Sequence, residues 1–221
     1  MGFSPEWNDL YKNNKHFSVW PWSQLVSLCL RHTDLVTTER ACKVLEVGCG
    51  AGANLPFFLA YTDKVYGLDG SEYIISSLKQ KFPQLVNTLA VADFTSSIPF
   101  KENFDLIVDR GASVHNDTSS IKRYLKLAHA HLNDGGFIII TDWFSTKHSQ
   151  YSGGAPVDDD GYVRTGYKEG PFSGVGKVHF FDSDIIKQLT EDFELIHLEH
   201  TSIEVYGTDQ KTSGWNIVLK K

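Results

Sequence analysis

The stretch Val44-Leu45-Glu46-Val47-Gly48-Cys49-Gly50-Ala51-Gly52-Ala53-Asn54 decides how this chain is read. An apolar strand breaks here into glycines at the alternate positions 48, 50 and 52, ahead of a helix. Glycine turns sharply and carries no Cβ, so such a junction lets backbone approach a nucleotide-like cofactor closely. The plainer alternative is a tight strand-to-helix turn with no ligand, and the neighbouring strand ends decide between the two.

Outward from that loop, short β-rich runs alternate with helical patterns. Strands are predicted over 43–47, 64–68, 88–92, 104–109 and 136–141. Strands separated by helices imply right-handed crossovers and a parallel sheet. Ser71 can N-cap a helix running to about Phe82, and Ile121, Tyr124, Leu125, Ala128 and Leu132 recur at helical spacing on one face. Asn133-Asp134-Gly135-Gly136 stops that helix and opens the buried strand Phe137-Ile138-Ile139-Ile140. Asp182 or Ser183 can cap a last helix through about Leu189, after which 193–204 and 214–220 read as two long strands. Their connection, 206–213, is short enough for an antiparallel hairpin. The expected fold is α/β, a doubly wound, seven-stranded, mainly parallel sheet with an antiparallel terminal hairpin, in one domain spanning residues 1–221.

Two segments lie outside that pattern. Residues 1–40 are rich in aromatics, Phe3, Trp7, Tyr11, Phe17, Trp20 and Trp22 among them, and include a predicted helix from Ser23 to about Leu35. Residues 143–180 read as loop-like, with Gly153-Gly154, Asp158-Asp159-Asp160-Gly161 and Gly170-Pro171. Long segments of this kind inside a compact domain are usually functional lids or mobile loops. The acidic run at 158–161 reads as a solvated turn, since its spacing does not continue to the distal carboxylate a calcium loop needs.

The string Glu46-Val47-Gly48-Cys49-Gly50-Ala51-Gly52 resembles motif I, E/D-x-G-x-G-x-G, of class I S-adenosylmethionine (SAM) dependent methyltransferases. The order of five βα-like units and a terminal hairpin resembles their Rossmann-like seven-stranded sheet with its reversed last strand. The likeness is strongest over 40–142, weaker over 180–221, and of the small-molecule type. It implies SAM as cofactor and S-adenosylhomocysteine (SAH) as product. It also sets Gly48, Gly50 and Gly52 against the methionine part, with Glu46 and Asn54 near the charged amino-acid end. An acidic residue near the adenine amino group would be Asp93, with Phe94 along the ring; Ile98-Pro99-Phe100 and Phe104-Asp105 resemble the family's LPF...FD stretch.

In an open α/β sheet the ligand sits outside the carboxyl ends of the strands at the switch point. Asp69, in Gly67-Leu68-Asp69-Gly70-Ser71, ends the second predicted strand, where a carboxylate can accept from both ribose hydroxyls. A helix-capping Asp is the alternative, but Ser71 is the better-placed cap; Gly70 and Ser71 complete this part of the candidate cofactor set. Tyr11 and the Trp20-Pro21-Trp22 pair are candidate lid residues, because aromatic faces favour a sulfonium cation and exclude water. Aromatic staples holding an N-terminal helix to the core would use the same residues. In the family an insertion such as 143–180, with His148, Tyr151, Tyr167 and His179, covers the substrate, while an N-terminal segment closes over SAM. NAD is disfavoured because its fingerprint is G-x-G-x-x-G, whereas the glycines here are spaced G-x-G-x-G.

Methyl transfer is an in-line displacement, so the enzyme aligns the acceptor and, for a protonated acceptor, removes its proton. Asp109-Arg110-Gly111-Ala112-Ser113-Val114-His115 follows the fourth predicted strand. His115 titrates near neutrality and is a candidate general base, although an isolated histidine here can simply pack. Asp109 is the second catalytic candidate and belongs to the cofactor set as well; it can equally orient backbone through Arg110. The N/D-P-P-Y string of adenine and amide methyltransferases is absent, as is a cysteine nucleophile of the cytosine-C5 kind. Asp109, Asp142 and Asn116 could mimic the hard-oxygen site of a catechol-type enzyme, but the surrounding sequence does not resemble that family. No metal is expected.

Composition bounds the partners. The chain has 221 residues, 41% of them hydrophobic, a formal charge of -6 and three cysteines without a C-x-x-C. Net negative charge with no Lys/Arg block argues against a nucleic-acid partner, and the cysteine usage fits a reducing compartment. No apolar run reaches the roughly 18 residues of a membrane helix, so the expectation is a cytoplasmic protein with a neutral or cationic small-molecule substrate. The alternatives are a protein or RNA methyltransferase and a SAM-binding subunit without activity; the sequence specifies no oligomeric state.

Overall fold

The computed structural model describes residues 6–13, 17–37, 40–157 and 159–221. Phe3 and Asp158, named above, lie outside the described residues. The elements in chain order are α1 (Glu6–Lys12), α2 (Ser23–His32), β1 (Val44–Val47), α3 (Leu55–Tyr61), β2 (Val65–Asp69), α4 (Glu72–Lys81), β3 (Leu89–Val91) and β4 (Phe104–Arg110). There follow α5 (Thr118–His131), β5 (Leu132–Phe144), β6 (Ala155–Val157), β7 (Asp160–Thr165), β8 (Val178–His179), α6 (Ser183–Leu189), β9 (Glu194–Glu204) and β10 (Lys211–Lys220).

Seven strands form the main sheet in the order β3-β2-β1-β4-β5-β10-β9. β3, β2, β1, β4 and β5 run parallel, and β10 is antiparallel to both of its neighbours. This is the expected doubly wound sheet with its terminal hairpin. Every residue of β1 is buried, as a parallel strand covered on both faces must be. Leu25, Leu28, Phe58 and Ile74 cover one face, and Ile121, Tyr124, Leu125 and Ile186 cover the other. Among the described residues no helix is long and apolar enough to cross a membrane.

Register positions the site. Val47 pairs with Leu68 on one side and Asp109 on the other. The next residues, Gly48, Asp69 and Arg110, therefore leave the sheet side by side at its carboxyl edge. β1 sits where the strand order reverses, the place at which open α/β sheets bind ligands.

The predicted caps form. Ser71 Oγ accepts from the Ile74 amide at 3.3 Å, and one Asp182 oxygen accepts from the Asp184 and Ile185 amides, both at 3.0 Å. Three expectations need correction. β5 begins at Leu132, so Asn133-Asp134-Gly135-Gly136 lies inside the strand, and β10 begins at Lys211, within the predicted connection. The 143–180 segment is not loop-like: β6, β7 and β8 form an antiparallel sheet over a cluster of Leu10, Tyr167, Phe172, Val175, Val178 and Phe180. Its strands are too short and too interrupted by glycine to show an alternating pattern, and contacts distant in sequence hold them.

Candidate functional site

A cavity of about 730 Å³ opens at the carboxyl ends of β1, β2 and β4. That is within the roughly 300–1,000 Å³ usual for small-molecule sites. The turn after β1 supplies one wall through Gly48, Cys49 and Gly50. Gly48 has φ +59°, and a Cβ there would lie 2.3 Å from the Ala112 Cβ, so the Gly48 backbone packs directly on the Ala112 methyl of the loop after β4. Gly52 stands behind the wall: a Cβ on it would lie 2.7 Å from Leu78 and 3.0 Å from Leu55. It serves the packing of α3 and α4.

Glu46, near the end of β1, is 2% exposed and lines the cavity. Its Oε1 accepts from Asn54 Nδ2 at 2.7 Å, and Asn54 Oδ1 accepts from the Trp22 amide at 3.2 Å. Asn54 thus spends its side chain tying the N-terminal segment to β1, not capping α3. Glu46 Oε2 is buried with no hydrogen-bond partner among the described residues. Burial pushes the Glu46 carboxyl up to about 8, against the lowering effects of Asn54 and Arg110.

A carboxyl whose folded value exceeds its unfolded value keeps its proton in the native state alone. Stability from Glu46 is therefore present below about 4.5 and is lost as pH rises toward about 8. Replacing the carboxyl by an amide removes that loss. Glu46→Gln is expected to flatten the decline in melting temperature of the ligand-free protein between pH 6 and 8. Thermal denaturation across that range checks it, and equal slopes would show that Glu46 is ionised in the folded protein throughout.

Asp69, 4% exposed, accepts from the Gly50 amide through Oδ2 at 3.0 Å and from the Ser71 amide through Oδ1 at 2.9 Å. Burial raises its carboxyl to about 6, the two amides opposing the shift. It binds the glycine loop to β2 and faces the cavity beside Gly70. Ser71 lies behind it, capping α4 and donating to Asn8 Oδ1 at 2.5 Å. That bond and the buried Tyr11 seat α1 over the loop, with Tyr11 on the cavity wall. Asp93 also lines the cavity, its carboxylate accepting from Thr95 and Ser96, and Phe94 stands next to it, edge-on to Tyr124 at 5.1 Å.

Asp109 is fully buried and is not on the cavity wall. Its Oδ1 accepts from the amides of Ala112 at 3.0 Å and Ser113 at 3.2 Å, its Oδ2 from Ser113 Oγ, and Trp143 Nε1 donates to that hydroxyl at 2.7 Å. Asp109 orients the loop that packs on Gly48; it touches neither cofactor space nor acceptor space. His115 does line the cavity. Its Nδ1 lies 3.1 Å from the Lys177 carbonyl, which fixes the neutral tautomer with the proton on Nδ1, and its ring meets Trp7 edge-on at 4.7 Å.

The cavity also gathers residues outside the candidate cofactor and catalytic sets, among them Asp142 and the insertion's His148, which the sequence singles out. Arg110 stacks on Trp22, Cζ 3.5 Å from the ring centroid, and pairs with Asp142 at 3.0 Å. Asp142, inside β5, holds φ +61°. From the insertion, Phe144, His148, Phe172 and Val175 reach the wall. His179 does not: it is buried between Tyr162 and Phe181 and bonds Thr118. Tyr151 and Tyr167 bond the backbone at Gly161 and Gln150, and Trp20 is 78% exposed, off the wall that Trp22 joins. Asp109, Asp142 and Asn116 do not assemble a hard-oxygen site, since Asp109 serves the backbone and Asp142 serves Arg110; no group of three or more metal-ligating residues occurs among the described residues.

Residues 44–136 match the family described as a methyltransferase domain. Over that stretch the chain is similar to a methyltransferase domain. Over 193 residues the chain is 23% identical to the probable S-adenosyl-L-methionine-dependent methyltransferase TehB of Haemophilus influenzae strain 10810, covering 86% of itself and 60% of that relative. It thus spans about three-fifths of the length of the curated protein it matches. The crystal structure of TehB from Haemophilus influenzae superposes with a TM-score of 0.62 at 21% identity, over 97% of this chain and 67% of that one. The Burkholderia thailandensis 1,6-didemethyltoxoflavin-N1-methyltransferase, solved with 1,6-didemethyltoxoflavin and SAH, superposes with a TM-score of 0.61 at 16% identity, over 90% and 77%. The matched stretch is the part that carries the glycine loop, Asp69, Asp93 and His115.

Proposed function

We propose that this chain is a SAM-dependent methyltransferase acting on a small molecule, with the 1–40 segment and the 143–180 insertion closing one domain over the site. The observation that carries the reading is the row Glu46, Gly48, Gly50 and Asp69 on one cavity wall, with an orphaned buried carboxylate oxygen at Glu46. That oxygen suits the ammonium of the cofactor's amino-acid end, and Asp69 suits two ribose hydroxyls. Bound SAM supplies an electrophilic methyl on a positively charged sulfur and leaves as the neutral thioether SAH. Arg110, held by Trp22 and Asp142, opposes the effect of burial on Glu46, and the arriving ammonium favours loss of the Glu46 proton further. His115, its proton fixed on Nδ1, presents a lone pair on Nε2 to take the acceptor's proton as the new bond forms. Titration calorimetry with SAM, SAH and NAD tests the reading: binding of the first two supports it, and binding of NAD alone, or of nothing, rejects it.

The small-molecule assignment is supported by the size of the cavity and by the structural neighbour solved with 1,6-didemethyltoxoflavin and SAH. For the base, His115→Ala is expected to leave SAH affinity within about twofold while turnover falls roughly 10²–10⁴-fold. Unchanged turnover with an acceptor found by screening would remove His115 from the chemistry.

A further inference from the structure

Two polar side chains on the cavity wall are fixed by the fold and unused by the cofactor contacts above. Asn116 is 4% exposed. Its Nδ2 donates to the Ser113 carbonyl at 3.3 Å, which settles how the amide faces, and its Oδ1 is buried without a partner among the described residues. His148 is 7% exposed, and its Nδ1 accepts from the Gln150 amide at 3.1 Å. The proton of the neutral ring therefore sits on Nε2. Burial lowers its proton affinity, so the ring is neutral near pH 7 and offers a donor only.

Both residues line the cavity, and what lies around His148 is aromatic. Phe144 and Phe172 stand 4.8 Å apart, at 5.8 Å and 5.4 Å from the His148 ring. Charge on the wall is one-sided: Asp69, Asp93 and Asp142 face it against Arg110, which is already paired with Asp142. Such a lining repels an anion and accommodates a neutral ring.

We propose that Asn116 and His148 are the two specificity-determining contacts for the acceptor, an uncharged ring compound that donates a hydrogen bond to Asn116 Oδ1 and accepts one from His148 Nε2. Asn116 and His115 line the same cavity, so the group Asn116 holds, a ring hydroxyl or N–H, is assigned as the one that receives the methyl. That last step rests on the methyltransferase reading; the two contacts themselves do not.

The test is a ligand-observed NMR titration of the full chain, with and without SAH, using four related probes. 4-Hydroxyacetophenone carries both groups, 4-methoxyacetophenone lacks the donor, 4-ethylphenol lacks the acceptor, and 4-hydroxybenzoate is an anion. The first is expected to bind at least about fivefold more tightly than each of the others. Asn116→Ala should erase its preference over 4-methoxyacetophenone alone, and His148→Phe its preference over 4-ethylphenol alone. A merely structural role would weaken all probes together. Equal binding of the four probes to the unaltered protein, tightest binding of the benzoate, or uniform weakening in both variants would overturn the proposal. Failure of SAH to bind while the probe ranking holds would instead overturn the cofactor reading.

Discussion

Asp69→Ala is expected to weaken SAM and SAH binding at least about a hundredfold, because two hydrogen bonds from ribose hydroxyls to a carboxylate contribute roughly 1.5–3 kcal/mol each. The loss also frees the Gly50 and Ser71 amides that Asp69 now holds, so the glycine loop loses its tie to β2. Asp69→Asn is the milder change: it removes the charge but keeps one oxygen, so one of the Gly50 and Ser71 amides retains its acceptor. With its carboxyl raised to about 6 by burial, Asp69 becomes protonated as pH falls through that value. Affinity in the unaltered protein should therefore drop below about pH 6, and Asp69→Asn should lack that part of the pH dependence. Calorimetry at pH 5, 6 and 7 measures both. Retained affinity in Asp69→Ala would mean that the ribose, if bound at all, lies elsewhere.

Gly48→Ala should be the most damaging single methyl in the chain. The new Cβ would fall 2.3 Å from the Ala112 Cβ, and the backbone there holds φ +59°. A non-glycine residue at positive φ costs about 1–3 kcal/mol, and overpacking a site that cannot yield costs about the same again. Ala112 cannot yield easily, because its amide is held by the buried Asp109. The melting temperature is expected to fall by on the order of 10 °C, with loss of SAH binding, since a shift of about 2–4 °C accompanies each kcal/mol at this chain length. Gly207→Ala is the control, with φ +77° and open space around it. It should cost only the backbone share, about 1 kcal/mol. Equal melting temperatures for the two variants would refute the packing argument.

These two residues show how much of the site the sequence carries. Gly48 and Asp69 were legible because a backbone turn and a strand-end carboxylate are local features, readable from residue type and spacing. Ser71 and Asp182 were legible as caps for the same reason. Asp109 was legible only as a strand end; that its oxygens turn inward to Ala112 and Ser113 follows from the loop folding back, stabilised by Trp143 from the next strand. His179 looked like a candidate substrate contact and is a core residue, because β8 pairs with β7 and buries it against Phe181. Arg110, Phe172 and Val175 carried no signal, since nothing in a lone arginine or in short apolar residues among glycines tells where they converge.

The amino-acid sequence by itself determined the alternation of strands and helices, the glycine turn at the end of β1 and the acidic strand ends, because periodicity, turn chemistry and capping act within a few residues. Tertiary structure alone decided which of those strand ends share a wall. It also decided that the 143–180 segment forms a small sheet and brings Phe144, Phe172 and Val175 to the cavity, and that Asn116 and His148 present one acceptor and one donor to the same space. Those outcomes depend on register between strands far apart in the chain and on which polar atoms burial leaves without a partner, and neither is written in any single stretch of residues.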